Sequence, residues 1–283
     1  MITTVNFHLT KACNFKCRYC FARFNDIKEA GLKKQEQFEL ITLLSKSGKF
    51  SKINFAGGEP TLIPHIKDLI IYSKSLGFET SIVTNGSKID FDWVKSMAPY
   101  LDILAISVDS INPHINLLAG SNDSGKTLTP NKIKNISTAC RIFGVSLKIN
   151  TVVSQFNVNE KLTDFINEIK PFRWKILQAT KIIGQNDGEF SNIEVSRDCF
   201  KSFCEMNKTG LLNELKVIDE DNETIKGSYL MVDCLGRFFD NSNSSHSYSN
   251  PILKVGLNVA LASITFDSQK FIKRQGNYST IKQ

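Results

Sequence analysis

The chain has 283 residues, 41% hydrophobic and 22% charged, and 35 Lys and Arg against 28 Asp and Glu leave a net charge of +7. That is enough chain for one large core or two small ones, with the composition of an ordinary soluble globular protein. No apolar run approaches the ~18 residues of a membrane span, no secretory leader is evident, and the basic charge is too diffuse to argue for nucleic acid. Seven Cys, an odd number, suit a reducing compartment. A cytoplasmic protein is expected, with monomer as the default.

Val5-Asn6-Phe7-His8-Leu9 alternates apolar and polar residues as a strand does. It leads into Cys13-Asn14-Phe15-Lys16-Cys17-Arg18-Tyr19-Cys20, a C-x3-C-x2-C array. Three thiolates at this spacing suit a [4Fe–4S] cluster with one iron left open, where four Cys would close it. Zinc prefers four ligands, usually in two C-x2-C halves, and no second half is visible. A helix is expected over 28–48, stopped at Gly48. A strand at 52–56 then runs into Gly57-Gly58-Glu59-Pro60, where a glycine pair lets the backbone approach a ligand closely.

The alternation continues with a helix at 65–76, a strand at 80–84, a helix at 90–98 and a strand at 102–108. A polar loop with Gly120 and Gly125 precedes a helix at 131–143, a strand at 145–153, a helix at 159–169 and a strand at 173–178. Six strand–helix units predict an α/β fold: an open, partial (β/α)6 barrel built on a parallel sheet, with ligands at the C-terminal strand ends. Residues 1–180 are expected to form the barrel core and 181–283 an extension closing the active site. In that extension 196–207 and 253–262 read as helices and 229–233 as a short strand. Residues 240–250, with five Ser and three Asn, read as a flexible loop.

Residues two apart on a strand share a face. Asn6 and His8 oppose Val5, Phe7 and Leu9; Lys52 and Asn54 oppose Ile53 and Phe55; Lys148 and Asn150 oppose Leu147 and Ile149; Arg173 and Lys175 flank Trp174. The apolar face belongs under the helices, so Lys52, Lys148, Arg173 and Lys175 are expected to share the lumen. Unpaired buried charge is costly, and no acidic set occurs at these strand positions. A polyanion is the expected ligand, with phosphates the obvious candidates.

The cysteine array is the signature of radical S-adenosylmethionine (SAM) enzymes, and Gly57-Gly58-Glu59-Pro60 is similar to their SAM-contacting motif. Together with Asn6-Phe7-His8, 101–110, Lys148-Ile149-Asn150, Arg173-Trp174-Lys175, Ser228-Tyr229-Leu230 and 271–274, these stretches resemble the viperins over essentially the whole chain. The resemblance implies a lyase that converts a ribonucleoside triphosphate (CTP, UTP or GTP) to its 3′-deoxy-3′,4′-didehydro form. The reaction runs by 4′-hydrogen abstraction and loss of the 3′-hydroxyl, giving a chain-terminating antiviral nucleotide in phage defence. It implies a [4Fe–4S] cluster on Cys13, Cys17 and Cys20, and SAM against Gly57, Gly58, Glu59, Asn85, Ser107 and Asn150. It places the triphosphate on Asn6, Lys52, Lys148, Arg173 and Lys175, makes Tyr229 a hydrogen or proton donor, and calls for a flavodoxin- or ferredoxin-type electron donor.

Three departures from the animal viperins stand out. The membrane-binding N-terminal helix is missing, Ser121 stands where an arginine is expected, and the C-terminal end at 279–283 lacks the terminal tryptophan. The alternative is another phosphorylated substrate, such as GTP cyclisation in molybdopterin synthesis. That chemistry goes with a second cluster, and Cys140, Cys199, Cys204 and Cys234 do not match its spacing.

Overall fold

Alternation along each strand decides which way its side chains face, and the computed structural model, which describes residues 4–280, follows that rule. In chain order come β1 (Thr4–His8), a helix Lys34–Lys46, β2 (Lys52–Ala56), a helix Ile66–Ser75, β3 (Glu79–Thr84), a helix Phe91–Met97 and β4 (Ile103–Ser107). A short helix Pro113–Leu118 and a hairpin of β5 (Asn122–Asp123) and β6 (Lys126–Thr127) follow. Helix Pro130–Phe143, β7 (Ser146–Val153), helix Thr163–Ile169, β8 (Arg173–Gln178) and helix Arg197–Lys208 complete the six expected units. The chain then adds β9 (Lys216–Glu220), β10 (Met231–Val232), β11 (Arg237–Asp240) and β12 (Ser247–Pro251).

One ten-stranded sheet results, in the order β12-β11-β10-β1-β2-β3-β4-β7-β8-β9. From β10 to β9 every pairing is parallel; β11 and β12 are antiparallel at one edge. Val5, Phe7, Ile53, Phe55, Leu147, Ile149 and Trp174 lie in the outer core with the helix residues Leu40, Leu44, Leu69, Ile133 and Ile166. Their strand neighbours Lys52, Lys148, Arg173 and Lys175 are buried on the other side. The sheet curls around them. Lys52 on β2 and Arg173 on β8, with three strands between them, lie 3.8 and 4.2 Å from the centroid of the same Tyr278 ring. This is the expected partial barrel.

Four local expectations need correction. Strand β9 was not anticipated, because Lys216-Val217-Ile218-Asp219-Glu220 carries charge at both ends and needs β8 beside it to become a strand. Residues 240–250 are partly strand: Ser249 Oγ accepts from the Phe238 amide at 2.9 Å and Asp240 Oδ1 from Ser242 N at 2.9 Å, so polar side chains stitch a hairpin. The helix expected over 28–48 starts only at Lys34, since Leu32 N is already committed to Cys234 O at 2.8 Å. The one expected over 253–262 breaks at Gly256, φ +81°. No described helix is long and apolar enough to cross a membrane. Part of the C-terminal stretch noted above, 281–283, lies outside the described residues.

Candidate active site

At the C-terminal edge of the sheet, backbone contacts seat the cysteine loop, and the Asn14 side chain adds bonds to Ser87 and Asp123, each at 3.0 Å. Gly58 N donates to Thr10 O at 2.6 Å and Glu59 N to Ala12 O at 2.8 Å; Lys16 N donates to Gly120 O at 3.0 Å and Arg18 N to Ala119 O at 2.9 Å. A Cβ on Gly58 would lie 2.2 Å from Ala12 O, and one on Gly57, φ +144°, 2.7 Å from Thr10 O. The glycine pair is therefore required by the neighbouring loop as well as by any ligand.

Cys13, Cys17 and Cys20 face one cavity on their inner side and a second, lined by Lys11, Lys16, Arg18 and Arg23, on their outer side. Burial pushes the Cys13 thiol up to about 11 and Cys17 to about 12, and raises Cys20 as well. A thiolate there needs a positive partner. Among the described residues no three His, Cys, Asp or Glu side chains gather closely enough to hold a single ion. A cubane cluster, whose ligands each bind a different iron, fits this wider thiol set facing a cavity.

The inner cavity continues over Gly57, Gly58, Thr84, Asn85, Ser107 and Asp109, with His8 in its wall. Glu59 does not reach it. Its carboxylate, 1% exposed, accepts from Thr84 Oγ1 at 2.7 Å, Asn85 N at 2.7 Å and Thr61 N at 3.0 Å, so it fixes the turn that presents Asn85. Asn150 is also absent from the wall; it pairs with Ser107 across β4 and β7, and its Oδ1 is buried without a partner. Burial pushes the Asp109 carboxyl up to about 6. Burial and nearby His246 lower His8 to about 3, leaving a neutral imidazole whose Nδ1 has no partner.

Deeper in the lumen lie the cations. Lys52 meets Glu79 at 3.2 Å and Lys175 meets Glu220 at 2.7 Å. Acidic partners therefore do exist, against the reading from strand positions, because Glu79 opens β3 and Glu220 ends the unanticipated β9. Arg274 also joins Glu220, at 3.3 Å. Burial alone would raise Glu220, but Lys175 and Arg274 hold it down at about 2. Among the described residues, no acid pairs with Lys148 or Arg173. Lys148 Nζ donates to Tyr278 Oη at 3.2 Å, and burial with Arg173 nearby lowers it to about 7. Arg173 Nη2 donates to Gln275 O at 2.8 Å, while its Nε and Nη1 are buried without partners. Asn6 is held by Asn54 Nδ2 at 2.8 Å and Leu230 O at 3.0 Å.

Tyr229 sits within this charged group. Its hydroxyl donates to Glu220 and accepts from Lys175 Nζ at 2.5 Å, and the Arg274 guanidinium lies 3.7 Å from its ring centroid. No sequence pattern signals Tyr278 or Glu220 at the site, since both arrive from segments without a legible strand pattern. The remaining thiols are dispersed: Cys140 and Cys204 in the outer core, Cys234 in a smaller apolar cluster, Cys199 exposed. They do not assemble the second cluster of the alternative reading.

Residues 7–169 match the Radical SAM superfamily. The chain is 39% identical to an S-adenosylmethionine-dependent nucleotide dehydratase of Flammeovirga pacifica, over 98% of this chain and 96% of that protein. It is 40% identical to one of Lacinutrix mariniflava over 98% of its length, but spans only 59% of that longer protein. A fish relative, the S-adenosylmethionine-dependent nucleotide dehydratase RSAD2 of Siniperca chuatsi, is 35% identical over 98% of this chain and 78% of its own. Among solved structures, native anSMEcpe with bound AdoMet superposes with a TM-score of 0.72 at 16% identity, over 98% of this chain and 84% of that one. At that identity the likeness bears on the fold alone.

Proposed function

The chain belongs to the radical SAM superfamily, among its nucleotide dehydratases, and on that footing we propose that it dehydrates a ribonucleoside triphosphate, CTP, UTP or GTP, to the 3′-deoxy-3′,4′-didehydro form. The observation that carries this reading is the pair Lys148 and Arg173, buried basic residues with no acidic partner among the described residues, one of them with two orphaned donors. A polyphosphate would satisfy them, because charge-assisted bonds to phosphate suit the guanidinium fork and the ammonium.

Cys13, Cys17 and Cys20 would hold a [4Fe–4S] cluster, and Gly57, Gly58, Asn85 and Ser107 would line the SAM site, with Glu59 fixing Asn85 from behind. Asn150 adds its orphaned carbonyl from the next strand. Cluster and SAM, when bound, supply the one-electron chemistry that removes the 4′-hydrogen. The chain's own residues do the rest. Lys52, Lys148, Arg173, Lys175 and Asn6 grip the triphosphate and so aim the ribose at the thiol end, where position governs rate. Tyr229, set between Lys175 and Glu220, supplies the hydrogen or proton that closes the reaction. Residues 1–180 carry cluster and SAM, and 181–283 close the lumen with Glu220, Tyr229, Arg274 and Tyr278. The product would serve as a chain terminator in phage defence, with electrons from a flavodoxin- or ferredoxin-type protein in the cytoplasm.

The test is anaerobic turnover of the reconstituted protein with SAM, dithionite and each ribonucleoside triphosphate in turn. The expected result is a nucleotide-dependent rise in 5′-deoxyadenosine and a triphosphate lighter by one water. Slow 5′-deoxyadenosine formation, equal with all four nucleotides, would overturn the substrate assignment and leave the cluster chemistry standing.

A further inference from the structure

Like charges buried together repel, so basic side chains that share the lumen need something to gather them. A single ring does this. The Tyr278 ring centroid lies 3.8 Å from Lys52 Nζ, 4.2 Å from Arg173 Cζ and 5.4 Å from Lys148 Nζ, each within the ~6 Å of a cation–π contact. These side chains come from β2, β8 and β7, along the strand run β2-β3-β4-β7-β8. Strand alternation puts them on the lumen side, and the ring is what they have in common there.

The segment that carries the ring is held on both sides of it. Gly276 N donates to Phe271 O at 2.8 Å, Gln275 O accepts from Arg173 Nη2 at 2.8 Å, and Thr280 N donates to Glu79 Oε1 at 3.0 Å. Lys52 is engaged by the strand and by the segment alike: it pairs with Glu79 at 3.2 Å and donates to the Tyr278 carbonyl. Arg173 keeps donors in hand, because its Nε and Nη1 have no hydrogen-bond partner. Lys148 Nζ donates to the Tyr278 hydroxyl at 3.2 Å, and an ammonium has three donors. A π face attracts a cation through its quadrupole, so the ring holds these groups together and leaves those donors unspent.

We propose, on the triphosphate reading above, that Tyr278 is a positioning residue for the substrate, its ring gathering Lys52, Lys148 and Arg173 into one site before the triphosphate arrives. The phosphate oxygens then meet donors already convergent and still free. Without the ring, part of the binding energy would go into drawing mutually repelling groups together, the cost that preorganisation removes. The aromatic face carries this role and the hydroxyl is secondary. A ring that instead filled the place of the phosphates would have the opposite effect on affinity, so the sign of the change on removing it separates the two arrangements.

The experiment compares wild type with Tyr278→Phe, Tyr278→Leu and Tyr278→Met as anaerobically reconstituted full chains. Titration calorimetry reads the Kd of inorganic triphosphate and of CTP, UTP and GTP, and SAM binding at the thiol end reports that each variant is folded. Leu and Met keep an apolar side chain and lose the π face. They are expected to bind inorganic triphosphate about tenfold more weakly than Phe, while Phe stays within about fivefold of wild type. A role in packing alone would group Phe with Leu and Met, and that grouping would overturn the inference. Tighter binding by Leu and Met would overturn it too, as the mark of a ring that occupies the phosphate site. A wild-type chain that binds SAM but neither inorganic triphosphate nor any of the three nucleotides would overturn the triphosphate reading along with it.

Discussion

The two ends of the lumen are built by opposite means. At the thiol end the framework is mostly backbone: glycines admit neighbouring carbonyls that accept from loop amides, the Asn14 and Tyr19 side chains add bonds to Ser87, Asp123 and Asp109, and the reactive residues lie within eight positions of one another. At the cation end the framework is side chains, brought from β2, β7, β8, β9 and the C-terminal stretch to surround one another. Backbone-built sites tolerate little change of any kind, whereas a site of converging charges can lose one member and keep its shape.

The largest expected effect is therefore at the thiol end. Cys17→Ala should abolish cluster uptake and turnover together, read as iron per chain and 5′-deoxyadenosine formed. Gly58→Ala should come close to it, because the added methyl meets backbone at 2.2 Å and not a side chain that can yield; iron retention at the wild-type level would break the contrast. At the cation end, Arg173→Met should weaken nucleotide binding by about 2 kcal/mol or more, roughly 30-fold, in titration calorimetry, while SAM binding stays as in wild type.

Tyr229→Phe should lower kcat by roughly 100-fold if the hydroxyl transfers a proton, with nucleotide KM little changed. An unchanged kcat would remove Tyr229 from the reaction. The pH dependence sharpens the comparison further. Lys148 sits at about 7 in the free protein, so at pH 8 it is mostly neutral. A bound triphosphate favours its charged form and raises that value, so binding at pH 8 should take up protons. At pH 6 Lys148 is already charged, and the uptake should fade; calorimetry in buffers of different ionisation enthalpy reads both. The smallest effect belongs to Tyr278→Phe, which removes only the hydroxyl 3.2 Å from Lys148 and should change nucleotide affinity by about 1 kcal/mol or less.

The same contrast explains what the sequence made legible. Cys13, Cys17 and Cys20, the glycine turn and the strand faces carrying Lys52, Lys148, Arg173 and Lys175 are local patterns, and period-two alternation assigned the cations to the lumen correctly. Glu220 and Tyr278 were hidden because their places depend on tertiary pairing: β9 becomes a strand only beside β8, and Tyr278 lies beyond the last regular element. Glu59 was legible as part of a motif but not as a brace, since its partners Thr84 and Asn85 come from the end of the next strand. Ser121 was noticed for the charge it lacks, while its contact with Cys17 required the fold.

The tight seating of Gly58 against Ala12 also separates ancestry from activity. A descendant of this chain that lost its three thiols, and with them any radical chemistry, would still need a residue without a side chain at position 58 to close the loop over the strand ends. The glycine pair by itself is thus a record of architecture, and a retired enzyme of this lineage would carry it as faithfully as a working one.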